Sequence, residues 1–359
     1  TGLDPSEMLV VLEQKVLIGD PSLAPTNGVA VPGYELGELI GEGAFGAVYR
    51  AVQPSLGREV AVKAIRAELA DDPTFVQRFE TEAQLVARLE HPHVVPLYDF
   101  WRQPGAAFLV FRLLRGGSLA DRISSGPLPL AEVSRLVEEI GGALAAAHAL
   151  GIVHRDVKPG NVLFDETGNS YLADFGIADG GGETFDVALR SAGSPLYASP
   201  EQARDGVTGQ ASDQYSLAVM AWEALVGRAP FAGVTATDVV RNKLTQSLPA
   251  LSAVSDAGAA LDVVLQKASS PVPVDRYRDI GEFVHAWATA CAGADVARTT
   301  GNLPSGAAAV RAAGTLASLS LGSVNPYKGL RAFREADAAE FCGRAGLVDG
   351  PAAAAQARR

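Results

Sequence analysis

Apolar and polar residues alternate at strand spacing in three short stretches, Tyr34 to Ile40, Ala47 to Gln53 and Glu59 to Arg66, with turn-forming residues between them. Pro54-Ser55-Leu56-Gly57 separates the second from the third as a hairpin turn. The period then changes. Asp72-Pro73 supplies an N-cap followed by a proline fit for the first helical position. Phe75, Phe79, Val86 and Leu89 fall on one face of the helix that follows, which stops before Pro92. Two more strands are predicted, Val95 to Trp101 and Ala107 to Leu113. Beyond Gly116-Gly117 the spacing is mainly helical, predicting helices at 118–124, 130–149, 211–226, 235–244, 258–268 and 279–290. A small, mostly β unit is thus followed by a larger helical one.

The ends of the chain read differently. Residues 4–19 predict a helix capped by Asp4 or Ser6, with Leu9, Leu12, Val16 and Leu17 as its apolar stripe, and a linker runs from Asp20 to Gly33. From Ala292 to Val324 the composition turns to Ala, Gly, Ser and Thr without a regular apolar period, the pattern of a flexible linker. The first residue is Thr1 rather than Met, so a fragment is expected.

Composition narrows the partners. Of 359 residues, 48% are apolar, enough for a sizeable core. A net charge of −11 argues against a nucleic-acid grip and against an anionic membrane surface. Cys291 and Cys342 are the only cysteines, too few for a disulfide framework or a zinc site and in keeping with a reducing cytoplasm. No signal-peptide pattern and no run of about 18 apolar residues is present, so a cytoplasmic protein is expected. The heavy use of Ala, Gly, Val and Arg fits a GC-rich bacterial genome.

The chemistry centres on Gly151 to Leu163. There Asp156 can take a proton, Lys158 can neutralise a phosphate and Asn161 can hold a metal. Such a cluster needs a nucleotide site and a second metal ligand. Gly41-Glu42-Gly43-Ala44-Phe45-Gly46-Ala47-Val48 has the glycine spacing that lets backbone N–H groups approach phosphate oxygens. The segment after it alternates like a strand, whereas a dinucleotide fold would place a helix there, and the chain has no G-x-x-x-x-G-K-[ST] loop. Lys63 lies in the apolar strand Val60-Ala61-Val62-Lys63, and its amine needs an anion. Glu82, within the apolar stripe of the first long helix, is one candidate; the nucleotide phosphate is the other.

With Asp174-Phe175-Gly176 and Ser199-Pro200-Glu201, these stretches complete an ordered set of five motifs. From about Tyr34 to Trp287 the chain resembles the bacterial serine/threonine protein kinases of the eukaryotic-like, Hanks type. The resemblance implies an α+β, bilobal kinase fold. It would comprise a small, mostly antiparallel β N-lobe with one helix (34–114) and a mainly helical C-lobe (115–290). Residues 1–33 would form an N-terminal helix and linker, 291–324 a flexible linker and 325–359 a separate tail.

The resemblance also implies roles. Asp156 would accept the substrate hydroxyl proton, while Asn161 and Asp174 would hold Mg²⁺, with Mn²⁺ as the alternative metal. Lys63, paired with Glu82, would position the ATP phosphates beneath Gly41, Glu42, Gly43, Ala44, Phe45 and Gly46. Ile40, Val48, Ala61 and Leu163 would wall the adenine, Phe111 would close the back of the pocket, and Arg112 to Leu114 would form the hinge. Arg112 stands where the family often has an acid. Lys158, two residues after the catalytic Asp, implies a Ser or Thr acceptor on a protein substrate, this chain included. Arg155 would meet a phosphorylated residue of the activation segment, with Thr184 and Ser191 as candidates, and Ser194 would touch Asp156 and Lys158. Glu201 would pair with Arg276, Asp213 would brace the catalytic loop, and His154 and His148 would be structural. The alternative is a catalytically silent pseudokinase that scaffolds a larger regulator.

Two shorter resemblances flank the kinase region. Residues 1–23 are similar to the last helix of the helical domain of bacterial transcriptional activators. Asn325 to Phe333, with Phe341-Cys342-Gly343-Arg344, resembles the opening of a STAND-type NTPase module. No Walker loop follows it, so no NTPase activity is expected, and a truncation or frame change after Leu347 is.

Overall fold

A computed structural model describes residues 31–43, 46–175, 196–231, 236–253 and 259–301. The readings on residues 1–23, Ala44, Phe45, Thr184, Ser191, Ser194 and the 325–359 tail lie outside these.

The alternating stretches form β1 (Glu35–Gly43), β2 (Gly46–Gln53), β3 (Arg58–Ile65), β4 (Leu97–Gln103) and β5 (Ala106–Arg112). They pair antiparallel in the order β1-β2-β3-β5-β4. Period-two alternation splits β3 between two environments. Val60 and Val62 are fully buried in a cluster with Tyr34, Ala51, Phe108 and Val110. Ala61 and Lys63 line the cleft on the opposite face. A short helix, α1 (Ala67–Ala70), follows β3. Then comes α2 (Pro73–Ala87), whose N-cap Asp72 accepts from the Phe75 N–H at 2.8 Å. Phe75, Phe79, Ala83 and Val86 are buried along it, so the α2 stripe packs into the main core.

The second lobe is helical apart from a hairpin of β6 (Val162–Phe164) and β7 (Ser170–Leu172). Its helices are α3 (Leu119–Ser124), α4 (Leu130–Ala149), α5 (Pro200–Asp205), α6 (Gln210–Val226), α7 (Ala236–Thr245), α8 (Ala259–Ala268) and α9 (Ile280–Gly301). Residues 212–225 of α6 are all buried, making it the axis of this lobe. The α9 helix continues to Gly301, past the expected start of a linker at residue 291. No described helix is long and apolar enough to cross a membrane.

Candidate active site

The loop between α4 and β6 is held from below by one buried carboxylate. Asp213, in the first turn of α6, is 1% exposed. Its Oδ2 accepts from the His154 N–H and its Oδ1 from the Arg155 N–H, each at 2.8 Å, and His148 Nε2 meets Oδ2 at 2.8 Å. These bonds hold Arg155 in the left-handed region, at φ 70°. That conformation is costly for a side-chain-bearing residue and persists only where surrounding contacts enforce it. His154 bonds the Ala173 C=O through Nε2 at 2.9 Å, and its ring packs 4.7 Å from that of Phe175. Both histidines therefore serve the frame of the loop.

Above this frame the three central residues converge. Lys158 Nζ donates to Asp156 Oδ2 at 2.6 Å. Asn161 Nδ2 donates to the Asp156 C=O at 2.8 Å and to Oδ2 at 3.0 Å. Both bonds to Oδ2 are charge-assisted and fix the Asp156 carboxylate with little freedom. Because the amide of Asn161 spends its N–H groups on Asp156, its oxygen remains as a ligand.

Across the cleft, Asp174 is also left-handed, at φ 57°. It accepts from Lys63 Nζ at 2.7 Å. Desolvation pushes the Asp174 carboxyl up, but the Lys63 ammonium and its hydrogen bond outweigh it and hold the group below the usual carboxylate range. The expected Lys63–Glu82 pair is therefore corrected. Glu82 Oε1 lies 3.7 Å from Arg155 Nη1 instead. The left-handed Arg155 directs its guanidinium to the partly buried edge of α2, while the shorter contact to Asp174 claims the Lys63 amine.

A cavity of about 520 Å³ opens beside these groups. That suits a nucleotide-sized ligand. Ile40, Gly41, Val48, Ala61, Lys63, Phe111, Leu114, Leu163 and Asp174 line it, as the sequence led one to expect. Glu42, Gly43 and Gly46 belong to the β1–β2 end and are not among its lining residues; Glu82 is not either. A Cβ on Gly46 would stand 1.9 Å from the Ala64 C=O, so the β2–β3 pairing demands glycine there. Gly46→Ala is expected to lower the melting temperature by several degrees and to raise the KM for ATP. Thermal unfolding and initial-rate kinetics read the two effects.

Several residues of this region went unread in the sequence. Ser118 and Asp121 form a capping box at the mouth of the cavity, a pattern legible as S-x-x-D before an apolar run. Gln202 Nε2 donates to the Arg155 C=O at 2.9 Å, tying α5 to the catalytic loop. Arg112 extends from the hinge strand to the β6–β7 hairpin, where Nη1 donates to the Tyr171 hydroxyl at 3.1 Å. Tyr171 in turn donates to Asp165 Oδ2 at 3.0 Å. Farther down stands a pair the sequence did lead one to expect: Arg276 grips Glu201 bidentately, Nη1 to Oε1 at 2.8 Å and Nη2 to Oε2 at 2.7 Å.

Comparison with known proteins extends this picture beyond the site. The family described as "Protein kinase domain" matches residues 34–277. The serine/threonine-protein kinase PknA of Mycobacterium tuberculosis is 36% identical over 328 residues, covering 88% of this chain and 75% of that protein. PknL of Mycobacterium bovis is 39% identical over 246 residues, 67% of this chain and 61% of the relative. PrkC of Bacillus subtilis is 36% identical over 247 residues, 68% of this chain and 38% of the relative. Among solved structures, the kinase domain of M. tuberculosis PknI aligns with a TM-score of 0.61 at 31% identity, covering 74% of this chain and 99% of that one. Sequence, sheet order and breadth of match agree, and the chain belongs to the protein kinase family as a serine/threonine kinase of the bacterial Hanks type.

Proposed function

We propose that this kinase transfers the γ-phosphate of ATP, with Mg²⁺ or Mn²⁺, to Ser and Thr hydroxyls of cytoplasmic proteins, itself included, in bacterial signalling. The observation that carries this reading is the convergence of Lys158 and Asn161 on Asp156 Oδ2, beside a nucleotide-sized cavity that reaches Asp174. Asp156 accepts the acceptor proton, since its carboxylate is the group oriented by both neighbours. Lys158, 2.6 Å from it, places a positive charge next to the attacking oxygen.

The donor set suits a hard divalent cation. Asn161 offers an amide oxygen and Asp174 a carboxylate, while no cluster of three His, Cys, Asp or Glu residues occurs among the described residues. Two protein oxygens with the remaining positions open favour a metal that also takes phosphate oxygens. A metal held by Asn161 and Asp174 would supply charge neutralisation for the transferred phosphoryl group. Phosphates also compete with Asp174 for Lys63, and the 3.7 Å contact of Glu82 with Arg155 is long enough to exchange for a closer partner. Thr184 and Ser191 are the proposed self-modification sites that Arg155 would meet, to be checked by peptide mapping after incubation with Mg-ATP.

Nucleotide-dependent melting tests the site directly. The melting temperature is expected to rise with ADP and Mg²⁺ together, by the equivalent of about 2.7 kcal/mol at a hundredfold excess over Kd. Asp174→Asn should abolish the metal-dependent part. A nucleotide shift indifferent to metal in the wild type would contradict the assignment of Asn161 and Asp174.

A further inference from the structure

The α7 helix buries a lysine. Lys243 is 1% exposed. Its Nζ donates to the Leu196 C=O at 2.8 Å and also to the Ala198 C=O. The rings of Tyr215 and Phe231 lie 5.4 Å and 6.0 Å from it. Removing an ammonium from water costs several kcal/mol, offset here by two charge-assisted bonds and aromatic faces. An apolar side chain would fill the same space without that desolvation cost. The charge calls for a reason beyond packing.

The two carbonyls point to one. Leu196, Tyr197 and Ala198 are half-buried and lead through Ser199 into α5. Their strip is also held from α6, where Ser216 Oγ donates to the Tyr197 C=O at 2.9 Å and Glu223 accepts from the Tyr197 hydroxyl at 2.6 Å. Four residues beyond Ala198, Gln202 bonds the carbonyl of Arg155, the residue before Asp156. The strip therefore leads into the helix that is tied to the catalytic loop. A polypeptide delivering its hydroxyl to Asp156 has its flanking residues close to that helix and the strip before it.

We propose that Lys243 is a positioning residue for the protein substrate, its protonated amine holding the backbone of 196–198 in the shape that docks the acceptor peptide. This rests on the kinase assignment. Loss of the proton weakens the hold on both carbonyls, so peptide affinity falls as pH rises through neutrality. Burial pushes the Lys243 amine down to about 7, against the pull of the Glu201 carboxylate. Among the described residues, three other titratable groups face it. Glu201, on α5, is engaged by Arg276; Tyr215, on α6, is kept neutral because burial pushes its hydroxyl up; Glu223 is shared with Tyr197 and is pushed up by burial. Stability moves the opposite way. Between pH 7 and the ordinary lysine range the unfolded chain holds a proton that the folded chain does not, so this group makes the fold more stable as pH rises.

The test uses the full chain and a peptide with one serine and no titrating side chains. From pH 6 to pH 8 the protonated fraction falls from about nine tenths to about one tenth, so the peptide KM of the wild type should rise about tenfold. The KM for ATP should not follow it. Lys243→Met should show a high peptide KM with a flat pH profile, and Lys243→Arg a low, flat one. A wild-type profile that persists in Lys243→Met, or a peptide KM that does not change with pH, overturns the proposal. Should the Met variant fail to fold, the wild-type and Arg profiles decide. Absence of transfer by the wild type at every pH would instead overturn the kinase assignment, and the latch with it.

Discussion

Asp156→Ala is expected to lower phosphate transfer to a Ser- or Thr-bearing substrate by about 10²–10⁴-fold, the usual contribution of a positioned general base. The carboxylate removed is the acceptor of two donors, Lys158 Nζ and Asn161 Nδ2. Its loss therefore frees a lysine and an amide as well as removing the base. Asp156→Asn separates these effects. An asparagine keeps one oxygen for Lys158 but presents an N–H₂ group that cannot take a proton. Both variants should bind ADP with Mg²⁺ nearly as the wild type does, because Asp156 is not among the residues lining the cavity. Initial rates of γ-phosphate transfer, with melting curves in ADP as the binding control, measure the split. Equal transfer by wild type and Asp156→Ala would favour the silent scaffold over the active enzyme.

Much of this site was legible because its parts are local. The N-lobe strands could be bounded within a few residues, since alternation in β2 and β3 is interrupted by a turn whose Gly57 adopts φ 61°. The α2 start was readable from Asp72-Pro73, a cap and a first-turn proline acting within one turn of helix. Asp156, Lys158 and Asn161 lie within six residues, so their convergence needed no knowledge of the tertiary fold.

What escaped the sequence depended on where separate elements come to rest. The sequence offered Lys63 a nucleotide phosphate or Glu82, 19 residues away, and the partner it meets, Asp174, lies 111 residues away, beyond what spacing can show. The placement of α2 against the catalytic loop gave Glu82 to Arg155. The α5 helix went unread, although Ser199, Pro200 and Gln202 carry a capping box and a first-turn proline that mark its start. Lys243 had a legible trace. It stands three and four residues after Val240 and Val239, in the register of an apolar stripe. Which carbonyls it meets was set by a segment 45 and 47 residues earlier.

Arg276→Met is expected to destabilise the fold by about 3–5 kcal/mol, the range for breaking a buried ion pair by removing one partner. Arg276 bonds both oxygens of Glu201 and also donates to the Ala211 and Ser270 carbonyls, each at 2.8 Å. Without it, Glu201 keeps Ser212 Oγ at 2.9 Å but stands buried and charged beside α6. In the wild type, burial alone would push the Glu201 carboxyl up, and the bonds and charge of Arg276, with hydrogen bonds from Ser199 and the backbone, reverse this to hold it below its ordinary 4.5. A depressed carboxylate contributes stability above pH 4.5 that is lost as pH falls through its lower folded value. In Arg276→Met the sign inverts. Desolvation is then opposed only by hydrogen bonds from Ser199, Ser212 and the backbone, so the folded group should bind its proton more readily than the unfolded one, and mild acidification from neutral pH should recover stability. Glu201→Leu combined with Arg276→Met should recover part of the loss at every pH, since no charge is stranded, while the two carbonyls left by Arg276 keep the recovery incomplete. Urea unfolding of the three proteins between pH 5 and pH 8 measures this. A single variant whose stability falls on acidification in parallel with the wild type would show that Glu201 was never the stranded charge.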